Sequence, residues 1–480
     1  MKFSQLTLKT DYLKLSPIFY AKVEVSALEK PFVISTSQNA GELLGVDEDL
    51  SLDEKLLDIV NGKSKLKGAD SFAMCYAGHQ FGDFTERLGD GRVINFGKVA
   101  GQNIQVKGAG LTLYSRLGDG RAVLRSSLRE YLMSEAMYGL GIESSRALAL
   151  IGSHTSVARD AIWEKCAMVI RLAPTWVRFG TFEYLYSIRE YDKLEELADY
   201  VIGESYPHLQ DSEDKYLKMY REIVKNTATT IAKWQSVGFT HGVMNTDNMA
   251  IDGSTIDYGP FAFLDEYQPH FVCNHTDTQG LYSFKNQAGA GRWNLDILAR
   301  VLSPIIDYEL SEEVLRDTFW RTYTDVYEAL LYQKMGLYEQ EKTDKALLEA
   351  LMRALASSRS DYTDFFRRLS TFDGNSVEIL ACSSNNEALA LWLKTYLLRV
   401  DKESISSKER HEKMLKTNPK YILKNHLLQE AIEKAEVQDY SMIEDLLEVA
   451  LAPFDEHSTL AHLCKATPTE VKNIALCCSS

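Results

Sequence analysis

The sequence predicts an α+β protein of two lobes, a small sheet with one helix followed by a large, mainly helical body. Three observations point there. Between about residues 71 and 180 glycines are dense, and short β-type runs (RVINFGKV, IQVKG, AMVIRLA) flank a single strong helix pattern. A second helix pattern leads into the polar loop His241-Gly-Val-Met-Asn-Thr-Asp-Asn248, which is followed by Asp257-Tyr258-Gly259. Beyond about residue 300 the periodicity is helical almost throughout.

Taken in order, residues 1–70 mix short apolar stretches with the acidic run DEDLSLDEKLLD and read as a helix-bearing extension. Residues 71–180 form the first lobe. In its helix, GDGRAVLRSSLREYLMSEAMYGLG, Asp119 is the expected N-cap, Leu124, Leu128 and Leu132 repeat every fourth residue, and Gly139 or Gly141 ends the run. Residues 181–300 form the core of the second lobe. Its leading helix, about 214–236, carries the apolar stripe Tyr220, Ile223, Val224, Thr227, Ile231 and Trp234 and stops at Gly238. Residues 301–480 add further helices and end in the tail IALCCSS.

With 480 residues, 45% hydrophobic and 25% charged, the chain can fill two or three packed cores. A net charge of -15 without any Lys/Arg-rich run argues against nucleic-acid and anionic-membrane partners. The amino terminus lacks the apolar core of a signal peptide and no apolar run approaches the ~18 residues of a membrane span, so the cytoplasm is the expected location. Seven scattered cysteines with no CxxC pair indicate neither a zinc site nor a disulfide framework.

The loop and the Asp-Tyr-Gly that follows it have the order of the catalytic loop and metal motif of protein kinases, HRDxxxxN and then DFG. Val243 stands where a kinase keeps its catalytic aspartate, and valine can neither accept a proton nor orient a hydroxyl. Asn248 and Asp257 suit a magnesium-type ion, which takes oxygen ligands and completes its shell with phosphate and water. A hairpin over MAIDGSTI, turning at Asp252-Gly253, would fold those two ligands together. Asp247 is the remaining carboxylate of the loop, either the group that takes a proton from a substrate hydroxyl or a loop cap. His241 is expected to be structural.

The hexapeptide RLGDGR occurs twice, at 87–92 and 116–121. Its glycines permit a tight turn whose amides face phosphate, and its arginine adds a bidentate donor. Lys107 in IQVKG needs a helix carboxylate to hold it, and either Glu130 or Glu135 qualifies; five residues apart, they lie about 140° around the helix from one another, so only one can face the lysine. Arg171 and Arg178 sit in the apolar stretch VIRLAPTWVRFG. Seven residues apart on one strand they would point to opposite faces, so convergence requires Pro174 to break the run. Joined with Lys107 and Arg92 they would hold a triphosphate; otherwise they belong to an internal ion-pair network.

The runs YAGHQFG (76–82), LGDGR (88–92), KGAGLTLYSRLGDGRAVLRSSLREYL (107–132), HGVMNTDNM (241–249) and IDYGPFAFLDEY (256–267) resemble the selenoprotein O family of pseudokinases. CNHTDTQGLYSFKNQ and NPKYILKNHLLQEAI extend the likeness nearly to the C-terminus. The resemblance implies a protein-kinase-like bilobal fold that binds ATP in an inverted orientation and, with Mg2+ or Mn2+, transfers AMP to Ser, Thr or Tyr hydroxyls of protein substrates, itself among them. It places Gly89, Gly91, Arg92, Lys107, Asp119, Gly120, Arg171 and Arg178 on ATP, Glu130 against Lys107, Asp247 as proton acceptor, and Asn248 and Asp257 on the metal. It also implies a regulatory disulfide from Cys273 to Cys478 of the tail, with Cys477 as the competing thiol. One departure is Phe96 in GDGRVINFG, where a smaller or aliphatic residue is expected. The competing readings are an atypical protein kinase using Asp247, an inert ATP-binding scaffold, and use of UTP in place of ATP.

Overall fold

The computed structural model describes residues 1–159 and 162–472. Its first lobe is built on one antiparallel sheet. The first 70 residues supply two of its strands, β1 (Tyr20–Lys22) and β2 (Phe32–Thr36). Strand β3 (Phe72–Met74) follows, and then a separate two-stranded hairpin, β4 (Gly78–Gln80) and β5 (Asp83–Thr85), which lies off the sheet. Strands β6 (Val93–Val99), β7 (Gln102–Lys107), β8 (Ala122–Val123), β9 (Arg146–Arg159) and β10 (Ile162–Ala173) complete it, and β6, β7 and β10 match the runs legible in the sequence. The sheet order is β1-β3-β6-β7-β10-β9-β2, with β8 pairing β10, so the amino-terminal strands close both edges.

Strand alternation sorts the two faces. Ile104, Val106, Met168, Ile170 and Leu172 share a core with Phe3, Leu6, Leu44 and Ile59, so the amino-terminal segment is a layer of the lobe and not an appendage to it. The intervening positions, Ala167 and Val169 among them, face the helix Leu124–Gly139 through Leu128, Tyr131 and Leu132. That helix begins later than Asp119 suggests. Val123 is its N-cap residue with no side-chain cap, because Ala122 and Val123 pair with β10 before the chain turns helical. Asp119 instead accepts from the Arg121 amide at 2.9 Å and pairs with Arg159 at 2.7 Å. The helix gives way at Gly141, whose φ of +73° is left-handed.

The second lobe is led by the helix Lys215–Ser236, whose predicted stripe is buried. Gly238, at φ +76°, ends it, and the two-residue strand Phe239–Thr240 delivers the chain into the loop at His241. Residues 287–451 are almost entirely helical and carry a further core around Leu331, Leu351, Phe365 and Trp392. Among the described residues no helix is long and apolar enough to cross a membrane.

Candidate active site

Sheet register builds the floor of the site. Arg171 lies opposite Gln105, and Lys107 opposite Val169, so Lys107 and Arg171 project from the face that meets the helix Leu124–Gly139. Glu130 receives both, at 2.7 Å from Lys107 Nζ and 2.6 Å from Arg171. Glu135, the other candidate, points elsewhere: it accepts from Arg146 at 2.6 and 2.8 Å, from Ser37 Oγ at 2.6 Å and from the Ala147 amide at 2.9 Å. The angle between the two positions around the helix thus gives Lys107 to Glu130 alone.

Strand β10 ends at Ala173, and beyond Pro174 the chain turns so that Arg178 precedes the helix Phe179–Ser187. Arg171 and Arg178 thus converge on one carboxylate, Asp257, the first at 2.7 Å and the second in direct contact; Lys107 stands 3.4 Å away. Asp257 itself adopts φ +58°, a left-handed conformation that non-glycine residues seldom take. Burial pushes its carboxyl up, but Arg178, Lys107 and Arg171 outweigh that and hold it well below the usual range. Glu130 is likewise raised by burial and lowered more by Lys107 and Arg171, while burial lowers the Lys107 ammonium.

These groups open on a cavity of about 610 Å³ between the lobes. Gly89, Gly91, Arg92, Lys107, Asp119, Gly120 and Arg178 line it from the first lobe, and Val243, Asp247, Asn248 and Asp257 from the second. Arg171 does not line it. Its guanidinium is wholly buried and bonds Glu130 and Asp257, which do line the cavity, and also Gln105. Arg92, by contrast, lines the cavity and has no carboxylate partner among the described residues.

The two RLGDGR copies are not structural copies. Asp90 is buried and braces its own loop, accepting from the Met74 amide and Asn95 Nδ2, each at 2.9 Å. In the second copy Arg121 turns away to the carbonyls of Ser26 and Ala27. Gly120, at φ +71°, passes so close to Gly110 that a Cβ would lie 2.2 Å from its carbonyl, so glycine is required there.

The hairpin expected between Asn248 and Asp257 is present as a tight turn with a single bridge, Met249 to Thr255. Asn248 donates its side-chain amide to the Val243 carbonyl at 3.1 Å, which leaves its side-chain oxygen for the cavity. Asn248 and Asp257 are thus suited to a hard cation, although among the described residues no three His, Cys, Asp or Glu side chains group as a metal site. His241 is structural: buried, it packs on Trp234 and its Nε2 meets the Ile256 carbonyl at 3.1 Å.

Asp247 differs from every other carboxylate in the cavity. Glu130 and Asp257 are paired as above and Asp119 is paired with Arg159, but Asp247 has no cation partner among the described residues. Its Oδ1 is buried without a hydrogen bond, and burial pushes its carboxyl up to about 7. Its Oδ2 accepts from Gln80 Nε2 at 3.3 Å. Gln80 was not legible as a site residue, and neither was Gln105; the one available signal for Gln105 was a polar residue on a buried strand face between Ile104 and Val106.

Cys273 is buried, its thiol pushed up to about 12 by burial and packed where a Cβ on Gly242 would approach within 2.5 Å. Cys477 and Cys478, its expected partners, lie outside the described residues.

Residues 2–450 match the model of a family described as "Protein adenylyltransferase SelO". A protein nucleotidyltransferase YdiU of Aliivibrio salmonicida (strain LFI1238) is 42% identical, over 100% of this chain and 99% of its own length. The proteins of that name from Pseudomonas fluorescens (strain SBW25) and Myxococcus xanthus (strain DK1622) are 42% and 41% identical, each over 99% of both chains.

Proposed function

The chain belongs to the SelO family of protein nucleotidyltransferases, and from that premise we propose that it transfers AMP from ATP to a Ser, Thr or Tyr hydroxyl of an acceptor protein, with pyrophosphate leaving. The observation that carries this reading is the unpaired carboxylate of Asp247 beside Val243. A kinase base at position 243 is absent, while a buried carboxylate with a free oxygen stands four residues further along the same loop.

In this reading the acceptor hydroxyl gives its proton to Asp247 as its oxygen bonds the α-phosphorus, and the bond from that phosphorus to the pyrophosphate oxygen breaks. Arg92, Lys107 and Arg178 neutralise the phosphate charge, and the backbone at Gly89, Gly91 and Gly120 allows close approach of the chain. Asp119 lies on the ATP-facing wall. Asn248 and Asp257 would hold Mg2+ or Mn2+, which when bound supplies further positive charge to the phosphate oxygens. Arg171 acts through Asp257 and Glu130, as a positioning residue.

Incubation with ATP labelled on the α-phosphate is expected to label protein, and ATP labelled on the γ-phosphate is not. Label transferred from the γ position alone overturns the reading in favour of a kinase. The name shared by the relatives does not specify the base, so UTP labelled on its α-phosphate belongs in the same assay.

A further inference from the structure

The motif YAGHQFG, residues 76–82, opens a hairpin that the reaction above leaves without a task. Gly78, His79 and Gln80 of β4 pair with Thr85, Phe84 and Asp83 of β5. The hairpin is fastened to the loop of Asp247: the His79 amide donates to Thr246 Oγ1 at 2.7 Å and the Phe81 amide to Asn245 Oδ1 at 3.2 Å. Strand alternation then divides its side chains. Gln80 enters the cavity and reaches Asp247.

His79 does not line the cavity. Its ring lies outside, with centroids 5.1 Å from Phe84 and 5.4 Å from Trp293, and Glu183 holds its Nδ1. Phe84 and Trp293 are 40% and 39% exposed, large aromatic surfaces left open outside the cavity, around His79. Strand β5 has no second neighbour among the described strands, so its outer backbone edge is unpaired. Asp83 and Glu86 are exposed at this edge and have no ion-pair partner among the described residues.

We propose that this hairpin and Trp293 are the platform for the acceptor protein, which lays an extended segment along β5. The open edge suits an added strand, whose backbone supplies affinity while its side chains supply selection. An aromatic or large apolar residue covers Phe84, His79 and Trp293, a Lys or Arg faces Asp83 and Glu86, and the hydroxyl beside them reaches Asp247. This rests on the AMP-transfer reading and adds to it how the acceptor is chosen.

The test is a serine-centred degenerate peptide library incubated with ATP labelled on the α-phosphate. Wild type is expected to enrich peptides carrying an aromatic residue near the serine, and peptides carrying Lys or Arg, each by about fivefold or more. Phe84→Ala with Trp293→Ala is expected to lose the aromatic preference, and Trp293→Phe to keep it. Asp83→Asn with Glu86→Gln, at two exposed positions that do not threaten the fold, is expected to lose the basic preference alone. ATP affinity and melting temperature, measured on each variant, are expected to stay at the wild-type values.

Labelling by wild type without either preference overturns the platform, as does a preference that survives its variant. Labelling of folded proteins in a lysate but of no peptide overturns it too, since the surface reads an extended segment. Absence of α-label from peptides and proteins alike overturns the AMP-transfer reading itself.

Discussion

Arg171 and Asp257 form a 2.7 Å ion pair in which the guanidinium is wholly shut off from solvent. The same guanidinium binds Glu130 at 2.6 Å, so one buried cation joins the carboxylate that holds Lys107 to the carboxylate of the Asp-Tyr-Gly motif. The two lobes meet at this residue, from behind the cavity.

Arg171→Met is therefore expected to act on stability first. It leaves two buried carboxylates to be shared by Lys107 and Arg178, and breaking a buried pair by removing one partner costs about 3 to 5 kcal/mol. A lowered denaturant midpoint is the readout. Arg178→Met, which removes a cation from the cavity wall, is expected to weaken ATP binding as well; equal ATP affinities in the two variants would contradict this division of roles.

Glu130 and Glu135 separate in the same way. Glu130→Gln frees Lys107 and is expected to lower transfer on the order of 100-fold, the scale of losing one preorganised electrostatic group. Glu135→Gln strands the buried Arg146 and is expected to lower the melting temperature, while transfer per folded molecule is unchanged. Transfer assays normalised to the folded fraction check both.

Much of this arrangement was readable because it depends on local order. The strand runs, the helix at 214–236 and the glycine stops follow from periodicity and backbone freedom, and the structure has them close to where the sequence puts them. What required three dimensions was register. The position of Arg171 behind the cavity depends on its facing Gln105 across β7 and β10, a pairing no local signal specifies. Asp119 misled for a related reason: it has the chemistry of an N-cap, but β8 intervenes and the residue spends its oxygens on Arg159 and the Arg121 amide. The first 70 residues carry weak periodicity because their strands are short and each sits at a sheet edge.

Gly78 controls the placement of Asp247. A Cβ there would lie 2.7 Å from Asp247 Oδ1 and 2.8 Å from its Cβ, so Gly78→Ala must displace the side chain. A shift of about 1 Å in a reacting group costs on the order of 100-fold in rate. The expected result is a fall of that size in α-label transfer, with ATP affinity close to wild type. Gly180→Ala is the contrasting change, because its Cβ would meet the Ala77 backbone oxygen at 2.1 Å, which no side-chain rotation relieves; its expected effect is loss of folded protein.

Lys334 gives the fold a pH dependence of its own. It is 4% exposed and lies 4.7 Å from the Phe366 ring centroid and 6.0 Å from that of Tyr362, with no carboxylate in ion-pair contact among the described residues. Burial pushes its ammonium down to about 7 from the ordinary 10.5. Between those values the unfolded chain binds a proton that the folded chain does not, so stability rises with pH across that window. Below about 7 both states are protonated, the contribution becomes constant, and the fold carries the full penalty of a buried charge. At about 1.4 kcal/mol for each pH step of one, the change across the window is on the order of 5 kcal/mol. Lys334→Met keeps the aromatic contact and removes the titration. It is expected to stabilise the protein at pH 7 and to narrow the lead over wild type as pH approaches 10. Urea midpoints of both proteins at pH 7, 8, 9 and 10 measure that difference; a constant gap between them would mean that the lysine stays charged in the folded state.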